Sequence, residues 1–157
     1  MERQLEALEI DTCLRLLTEH HVGRIAMNDP AGPLVFPVNY AFDKGAVVFR
    51  TDPGLSLDAA EARAHASFQI DHADETHHIG WSVLVRGRLQ EVVDPDELKR
   101  LDRLGIVSFA PGAGRRHLVR LMPSVITGRR IPLPEQVPSG WYRSVVQGTS
   151  AFGPDRR

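Results

Sequence analysis

The chain has 157 residues, a length that favours one domain with a core that needs no disulfide or metal. Its 19 basic and 20 acidic side chains nearly cancel, which argues against a nucleic-acid binder, and no apolar run is long enough to suggest a membrane partner. A lone cysteine, Cys13, and a charged first segment without a signal-peptide pattern lead us to expect a cytoplasmic protein.

The first predicted elements are a helix and a strand. Residues 11–20 place apolar side chains on one helical face, and Asp11 is a candidate N-cap. Residues 22–27 follow as a candidate strand, and a cluster of turn-forming residues ends it. A short helix leading into a strand is therefore expected near the start of the chain.

A β-hairpin is predicted at residues 33–51. Apolar residues alternate with others along its first arm, a turn follows at residues 43–45, and a second apolar run ends at Arg50 and Thr51. An arginine beside a hydroxyl at a strand end is a candidate phosphate clamp, because a guanidinium offers several fixed donors. From the pattern alone, a surface arginine and an ordinary strand threonine remain the alternative.

The middle of the chain predicts a helix and two strands. Residues 57–65 are rich in alanine, and Ser56 is a candidate N-cap for a helix there. Residues 67–71 form a short strand candidate. Residues 79–93 form a long one, in which Gly87 is expected to mark a kink or bulge.

The next segment begins with a clear helix signal. Asp94 is expected at the N-cap, Pro95 at the first helical position and Glu97 at the position that completes a capping box. Two further strands are predicted at residues 117–122 and 125–131, on either side of a proline.

The pattern as a whole predicts a mainly β (α+β) protein. About six strands with turn signals and short peripheral helices indicate a small antiparallel barrel. We expect one domain at residues 1–131 and, at residues 132–157, a tail rich in Pro, Gly and Ser that is docked or partly disordered.

Candidate catalytic and metal-binding groups are not evident in the sequence. The histidines and the single cysteine lack zinc-site spacing, and neither a Gly-rich phosphate loop nor a nucleophile elbow occurs. Helix capping accounts for most carboxylates. We therefore predict no catalytic residue and no metal site, so that an enzyme of this sequence would depend on a cofactor for its chemistry.

Three segments resemble one known family. PVNYAFDKGAVVFRT, GWSVLVRGRLQEVVD and ITGRRI are similar to the pyridoxamine 5′-phosphate oxidase-like FMN-binding split barrels, above all their actinobacterial subgroup. The resemblance covers roughly residues 8–132. It implies a six-stranded antiparallel split barrel that forms a homodimer, with two flavin sites at the interface. It also implies non-covalent FMN, a deazaflavin in some members, and more rarely haem.

The resemblance implies nine cofactor-binding residues: Pro37, Val38, Asn39, Arg50, Thr51, Ser56, Trp81, Ser82 and Arg129. The first three would lie against the isoalloxazine ring. The Arg-Thr pair would hold the phosphate, aided by the serine at the start of a helix. The tryptophan and the second serine would pack near the ring or ribityl chain, and the last arginine would reach the cofactor edge from either subunit.

One departure from the family concerns the phosphate. Members often carry a lysine after the Arg-Thr pair, whereas this chain has Gly54-Leu55-Ser56-Leu57 there. We expect a homodimeric, FMN-binding protein with oxidoreductase activity towards a small molecule or a nicotinamide donor. The alternatives are a non-catalytic binder of flavin, deazaflavin or haem, acting as sensor, store or carrier, and a cofactor-free dimeric interaction module.

Overall fold

The computed structural model describes residues 5–52, 54–74, 76, 79–107 and 117–131, with Leu55 described by its backbone only. The predicted tail at residues 132–157 lies outside the described residues. In chain order the elements are β1 (Glu6–Ala7), α1 (Ile10–Glu19), β2 (Val22–Asp29), β3 (Gly32–Asp43), β4 (Ala46–Thr51), α2 (Leu55–Glu61), β5 (His65–Asp74), β6 (Ile79–Glu91), α3 (Pro95–Asp102) and β7 (His117–Ile131).

Six long antiparallel strands close into a ring. Their order is β7-β4-β3-β2-β5-β6, and pairing of β6 with β7 completes the circle. The two-residue β1 adds to β7, where Glu6 pairs with Arg130. Closing the sheet removes the unpaired edges that an open sheet would expose. The predicted six-stranded antiparallel barrel with short peripheral helices is thus confirmed.

The core lies inside this ring. Alternate residues of the strands point inward, and α1 and α2 add Leu17 and Ala60 to the same apolar cluster. A second, smaller cluster lies beneath α3 on the outer side of β4 and β7, and it consists of Val48, Val92, Leu101, Ile106 and Leu118. The outer surface of part of the barrel is therefore covered by α3 and the residues that follow it.

The β3–β4 hairpin follows the sequence prediction. Lys44 and Gly45 form its tip with φ angles of 46° and 80°, the left-handed geometry of a two-residue turn between twisted strands. Inward-facing residues on the first arm include Val38 and Tyr40, both nearly fully buried. The period-two pattern of the sequence thus corresponds to a real division between inner and outer faces.

The two strands predicted at residues 117–122 and 125–131 are wrong as separate elements, because β7 is continuous. Arg86 pairs with Val125 and Gly87 with Pro123, so Ser124 is an extra residue that forms a bulge. The Ser124 hydroxyl donates to the Arg86 carbonyl at 3.1 Å. A bulge accommodates a proline, because its missing N–H is not needed for the ladder there.

The predicted helix caps had mixed outcomes. Asp94 caps α3 and accepts a bond from the Glu97 amide at 2.8 Å, as predicted. Asp11 lies inside the first turn of α1, because that helix already begins at Ile10. Ser56 is likewise inside α2, where Gly54 takes the N-cap position with a φ of 143° that favours glycine. None of the three described helices has the length and apolar character that crossing a bilayer requires.

Candidate functional site

The structure separates the nine predicted site residues into two groups. The β3–β4 group lies on β3, β4 and α2 and consists of Pro37, Val38, Asn39, Arg50, Thr51 and Ser56. The β6–β7 group consists of Trp81, Ser82 and Arg129. Asn39 lines one cavity of the barrel, and Trp81, Ser82 and Arg129 together line a different one. The two groups therefore do not share a cavity within one barrel.

Side chains of the first group on β3 alternate between the two faces. Pro37 is exposed, Val38 is buried in the core, and Asn39 is half-buried on the outer face. Pairing between β3 and β4 runs to Tyr40 and Phe49, so Asn39 and Arg50 are the next residues of the two strands. Asn39 and Arg50 thus neighbour each other at the outer side of the barrel.

The Arg50 guanidinium is held by two contacts near α3. Its Nε donates to the Ile106 carbonyl at 2.8 Å, and its Nη2 donates to Asp102 Oδ1 at 2.6 Å. Neither partner was among the predicted site residues. The sequence nevertheless contains a sign that Asp102 is unusual. An acidic side chain in the last turn of a helix interacts unfavourably with the helix dipole, so helix stability does not explain its presence.

The two hydroxyls of the first group are already occupied or enclosed. The Thr51 hydroxyl donates to the Asp52 carbonyl at 3.1 Å. Ser56 is only 6% exposed. On the strand that neighbours Thr51, His117 lies 2.7 Å from Glu91 through Nδ1 and Oε1. Arg50 is therefore the main donor that this group offers a ligand.

A cavity of about 510 Å³ adjoins the first group. It lies between the end of α1, the outer face of β3 and the residues that follow α3. Its lining consists of Thr18, His21, Asn39, Tyr40, Ala41, Phe42, Leu104, Gly105, Ile106 and Val107. Ile106 connects this cavity to Arg50, because its carbonyl accepts the Arg50 Nε bond.

The β6–β7 group lies on the outer face of another part of the sheet. Ser82 pairs with Asp71 on one side and with Arg129 on the other. Asp71 also forms an ion pair with Arg24. A cavity of about 580 Å³ runs along this face, lined by Gln69, Ser82, Leu84, Arg86, Val125, Thr127 and Arg129.

Trp81 occupies the border between this face and the core. Its ring meets the His20 ring edge-on at 5.0 Å, and it lies opposite His72 on the neighbouring strand. A third cavity, of about 400 Å³, is lined in part by Trp81, Ser82 and Arg129. All three residues of the β6–β7 group thus share one open pocket, which combines an aromatic ring with a hydroxyl and a cation.

Candidate proton-transfer groups at the cavities are His21 at one and Asp71 and His72 at another, and a metal site is not evident among the described residues. They contain no set of three His, Cys, Asp or Glu side chains suited to hold a metal ion. Burial raises the pKa of the Tyr40 phenol and of the Cys13 thiol, so both stay protonated and unreactive at neutral pH. The arrangement is suited to binding an anion and a planar ring.

Comparison with known proteins identifies relatives of this chain. The sequence profile of the pyridoxamine 5′-phosphate oxidase family matches residues 9–130. An uncharacterized protein of Mycobacterium tuberculosis is 30% identical over 143 residues, which span 87% of this chain and 91% of the relative.

Two solved structures of flavin-binding proteins share the fold. An FAD-binding protein from Mycobacterium smegmatis is 33% identical with a TM-score of 0.65, and the match covers 80% of this chain and 97% of that one. An FAD-binding protein from Mesorhizobium loti is 27% identical with a TM-score of 0.68, covering 82% and 99%. With the profile match spanning most of the barrel, this chain belongs to the pyridoxamine 5′-phosphate oxidase family and has its split-barrel fold.

Proposed function

We propose that the chain binds a flavin nucleotide non-covalently, at a site that a second copy of the chain completes. The observation that carries this proposal is the division of the predicted residues into two groups, one on β3, β4 and α2 and the other on β6 and β7. Each group adjoins its own cavity on the outer side of the barrel. In a two-fold dimer, the β3–β4 group of one protomer would face the β6–β7 group of its partner, twice per dimer.

The residues present fit such a ligand by their chemistry. Arg50 supplies a guanidinium suited to a phosphate, and Asn39 supplies an amide that can both donate to and accept from a polar ring edge. Trp81 supplies an aromatic surface for a planar ring. The nine residues are assigned to the ring, the ribityl chain and the phosphate of FMN. FAD contains the same three parts, so the assignment applies to either flavin.

Oxidoreductase activity is the function that this site supports best. A bound flavin supplies hydride and electron exchange with a small molecule or a nicotinamide donor. The chain's own residues bind the phosphate, orient the ring and exclude water. This division of labour requires no acid–base residue, in keeping with the absence of a predicted catalytic group.

A binding role without turnover is the second candidate function. Two observations favour it: the Arg50 guanidinium is already paired with Asp102, and the sequence after Thr51 lacks the basic residue common in the family. Such a protein would act as a sensor, store or carrier for flavin, deazaflavin or haem. If no cofactor binds, a dimeric interaction module remains. The absorption spectrum of the purified protein, followed by reduction with a nicotinamide donor, separates these functions.

Mixed dimers test the shared site directly. Arg50→Ala and Arg129→Glu each remove one half of the proposed site, so we expect each variant alone to lose FMN affinity by roughly 100-fold. When the two variants are unfolded together and refolded as a mixture, half of the dimers are mixed and each regains one intact site. Isothermal titration should then find about a quarter of the wild-type FMN sites at wild-type affinity.

Arg88→Ala is the matched control for these variants. Arg88 is exposed on β6 and donates to the Arg63 carbonyl, outside both groups. We expect this variant to bind FMN as the wild type does. Equal losses for Arg50→Ala and Arg88→Ala would contradict the phosphate assignment, and a mixture that recovers no sites would contradict the shared site.

A further inference from the structure

Asp102 is an acidic residue in an electrostatically unfavourable position. It is the last residue of α3, where the partial negative charge of the helix end disfavours a carboxylate. Its side chain is 60% exposed, whereas that of Arg50, its partner, is 20% exposed. The stability of the helix does not account for an acidic residue there, and residues that break a local rule are often found at functional sites.

The contacts of Arg50 determine where an anion can bind. A guanidinium has two edges with parallel donors, the side edge of Nε and Nη2 and the terminal edge of Nη1 and Nη2. The Ile106 carbonyl and Asp102 both use the side edge. A phosphate would therefore bind at the terminal edge. It would share Nη2 with the carboxylate, about 5 Å from it.

At this distance the charge of the phosphate affects its affinity. Asp102 offsets the positive charge of Arg50, and the sequence of residues 52–57, DPGLSL, adds one acidic and no basic side chain. A phosphomonoester carries about two negative charges near neutral pH, and a phosphodiester carries about one. Repulsion from a partly exposed carboxylate at this separation weakens binding by about tenfold for each unit of phosphate charge.

We infer that Asp102 is a specificity-determining residue of the flavin site. Through Arg50 it disfavours the doubly charged terminal phosphate of FMN more strongly than the pyrophosphate of FAD, in which each phosphate carries about one charge. The inference depends on the proposed flavin site and goes further, because it assigns a selective role to a residue that need not touch the flavin ring. It also predicts that a single uncharged replacement shifts the ratio of the two affinities towards FMN.

The test compares FMN and FAD dissociation constants by isothermal titration with the full-length protein. Asp102→Asn keeps an oxygen that can accept from Nη2 and removes the charge. We expect it to tighten FMN binding about tenfold more than FAD binding. Asp96→Asn makes the same charge change near the other end of α3, ~9 Å away along the helix axis, and should leave the ratio of the two constants unchanged.

Each outcome separates the inference from the proposed function. If both flavins bind and Asp102→Asn leaves their ratio as in the wild type, the inference is overturned and flavin binding stands. The ratio of the two constants should be the same in Arg50→Ala and in the double variant Arg50→Ala/Asp102→Asn. If Asp102→Asn still changes the ratio in the Arg50→Ala protein, the effect does not pass through Arg50 and the inference is overturned. If neither flavin binds to any of the variants or to the wild type, the proposed function fails together with the inference.

Discussion

The two groups of candidate site residues are held in place by different interactions. The β6–β7 group is fixed by backbone pairing, which joins β6 and β7 from Gly80 to Glu91 with a single bulge. The β3–β4 group also lies on paired strands, but the guanidinium of its main donor, Arg50, is held by contacts to Asp102 and to the Ile106 carbonyl. Backbone ladders respond little to pH or salt, whereas ion pairs between partly exposed groups respond to both.

The helix that carries Asp102 packs on an apolar cluster through Leu101 and is also attached by charges. Arg100 on α3 binds both carboxylate oxygens of Asp43, at 3.0 and 2.6 Å, and also both oxygens of Glu97. Arg120 on β7 adds a longer contact to Glu97. The position of Arg50 thus depends on an ionic network that connects α3 with the tip of the hairpin. We expect the two groups to respond differently to substitution and to acid.

The largest expected effect is the loss of stability in Gly87→Ala, which disturbs the backbone-held group. An added Cβ would lie 1.9 Å from the Met122 carbonyl oxygen and 2.7 Å from its carbon, in a strand pair that cannot separate without losing its ladder. We expect the free energy of unfolding to fall by about 3 kcal/mol, measured by denaturant titration.

Gly105→Ala provides the contrast near the charge-held group. Gly105 has a φ of +64°, and no atom of the described residues lies within 4 Å of where its Cβ would be. Left-handed backbone alone should then cost about 1 kcal/mol. Equal losses for Gly87→Ala and Gly105→Ala would show that the β6–β7 ladder is no more tightly packed than the segment after α3.

Sequence patterns predicted the features that depend on neighbouring residues. The alternation that ends at Tyr40 and Phe42 predicted the first arm of the hairpin, because burial inside the ring really does follow a period of two. Asp94 predicted the start of α3, because a capping box spans only four residues. Gly87 was correctly expected at an irregularity.

Features that depend on distant partners were missed. The continuity of β7 through Pro123 depends on a bulge opposite Gly87, a residue on another strand. The pairing of Arg50 with Asp102 joins residues 52 positions apart, and the acidic side chain at a helix end marks Asp102 without indicating Arg50 as its partner. The resemblance named nine site residues but could not show that one barrel leaves them in two groups, because this follows from the closed order of the strands.

A second, intermediate effect is expected from acid acting on the charge-held group. Hydrogen bonds from Arg100 lower the pKa of Glu97 from 4.5 to about 2, and they also lower the pKa of Asp43. Both pKa values are lower in the folded state than in the unfolded state. The two ionised carboxylates therefore stabilise the folded state fully at pH values above their unfolded pKa. This stabilisation is lost as the pH falls from 4.5 towards 2. Melting temperatures should therefore decrease through this interval.

Arg100→Met isolates this network from the other carboxylates of the chain. We expect the variant to have a lower melting temperature at neutral pH and a flatter dependence on pH between 4.5 and 2 than the wild type. Arg88→Met removes a charge of the same kind that contacts only a backbone carbonyl among the described residues, and its pH profile should parallel that of the wild type. Parallel profiles for both variants would show that the network does not hold α3.

The smallest expected effect comes from Tyr40→Phe, next to Asn39. The Tyr40 side chain packs this part of the β3–β4 group against the core: its ring meets Phe68 edge-on at 4.6 Å, and its hydroxyl donates to the Leu17 carbonyl in α1 at 2.8 Å. Removing the hydroxyl leaves the ring in place and deprives one buried carbonyl of a donor, which should lower the free energy of unfolding by about 1 kcal/mol in a denaturant titration. A loss as large as that of Gly87→Ala would mean that packing against α1, as well as charge, fixes the β3–β4 group, and the contrast between the two groups would then be one of degree.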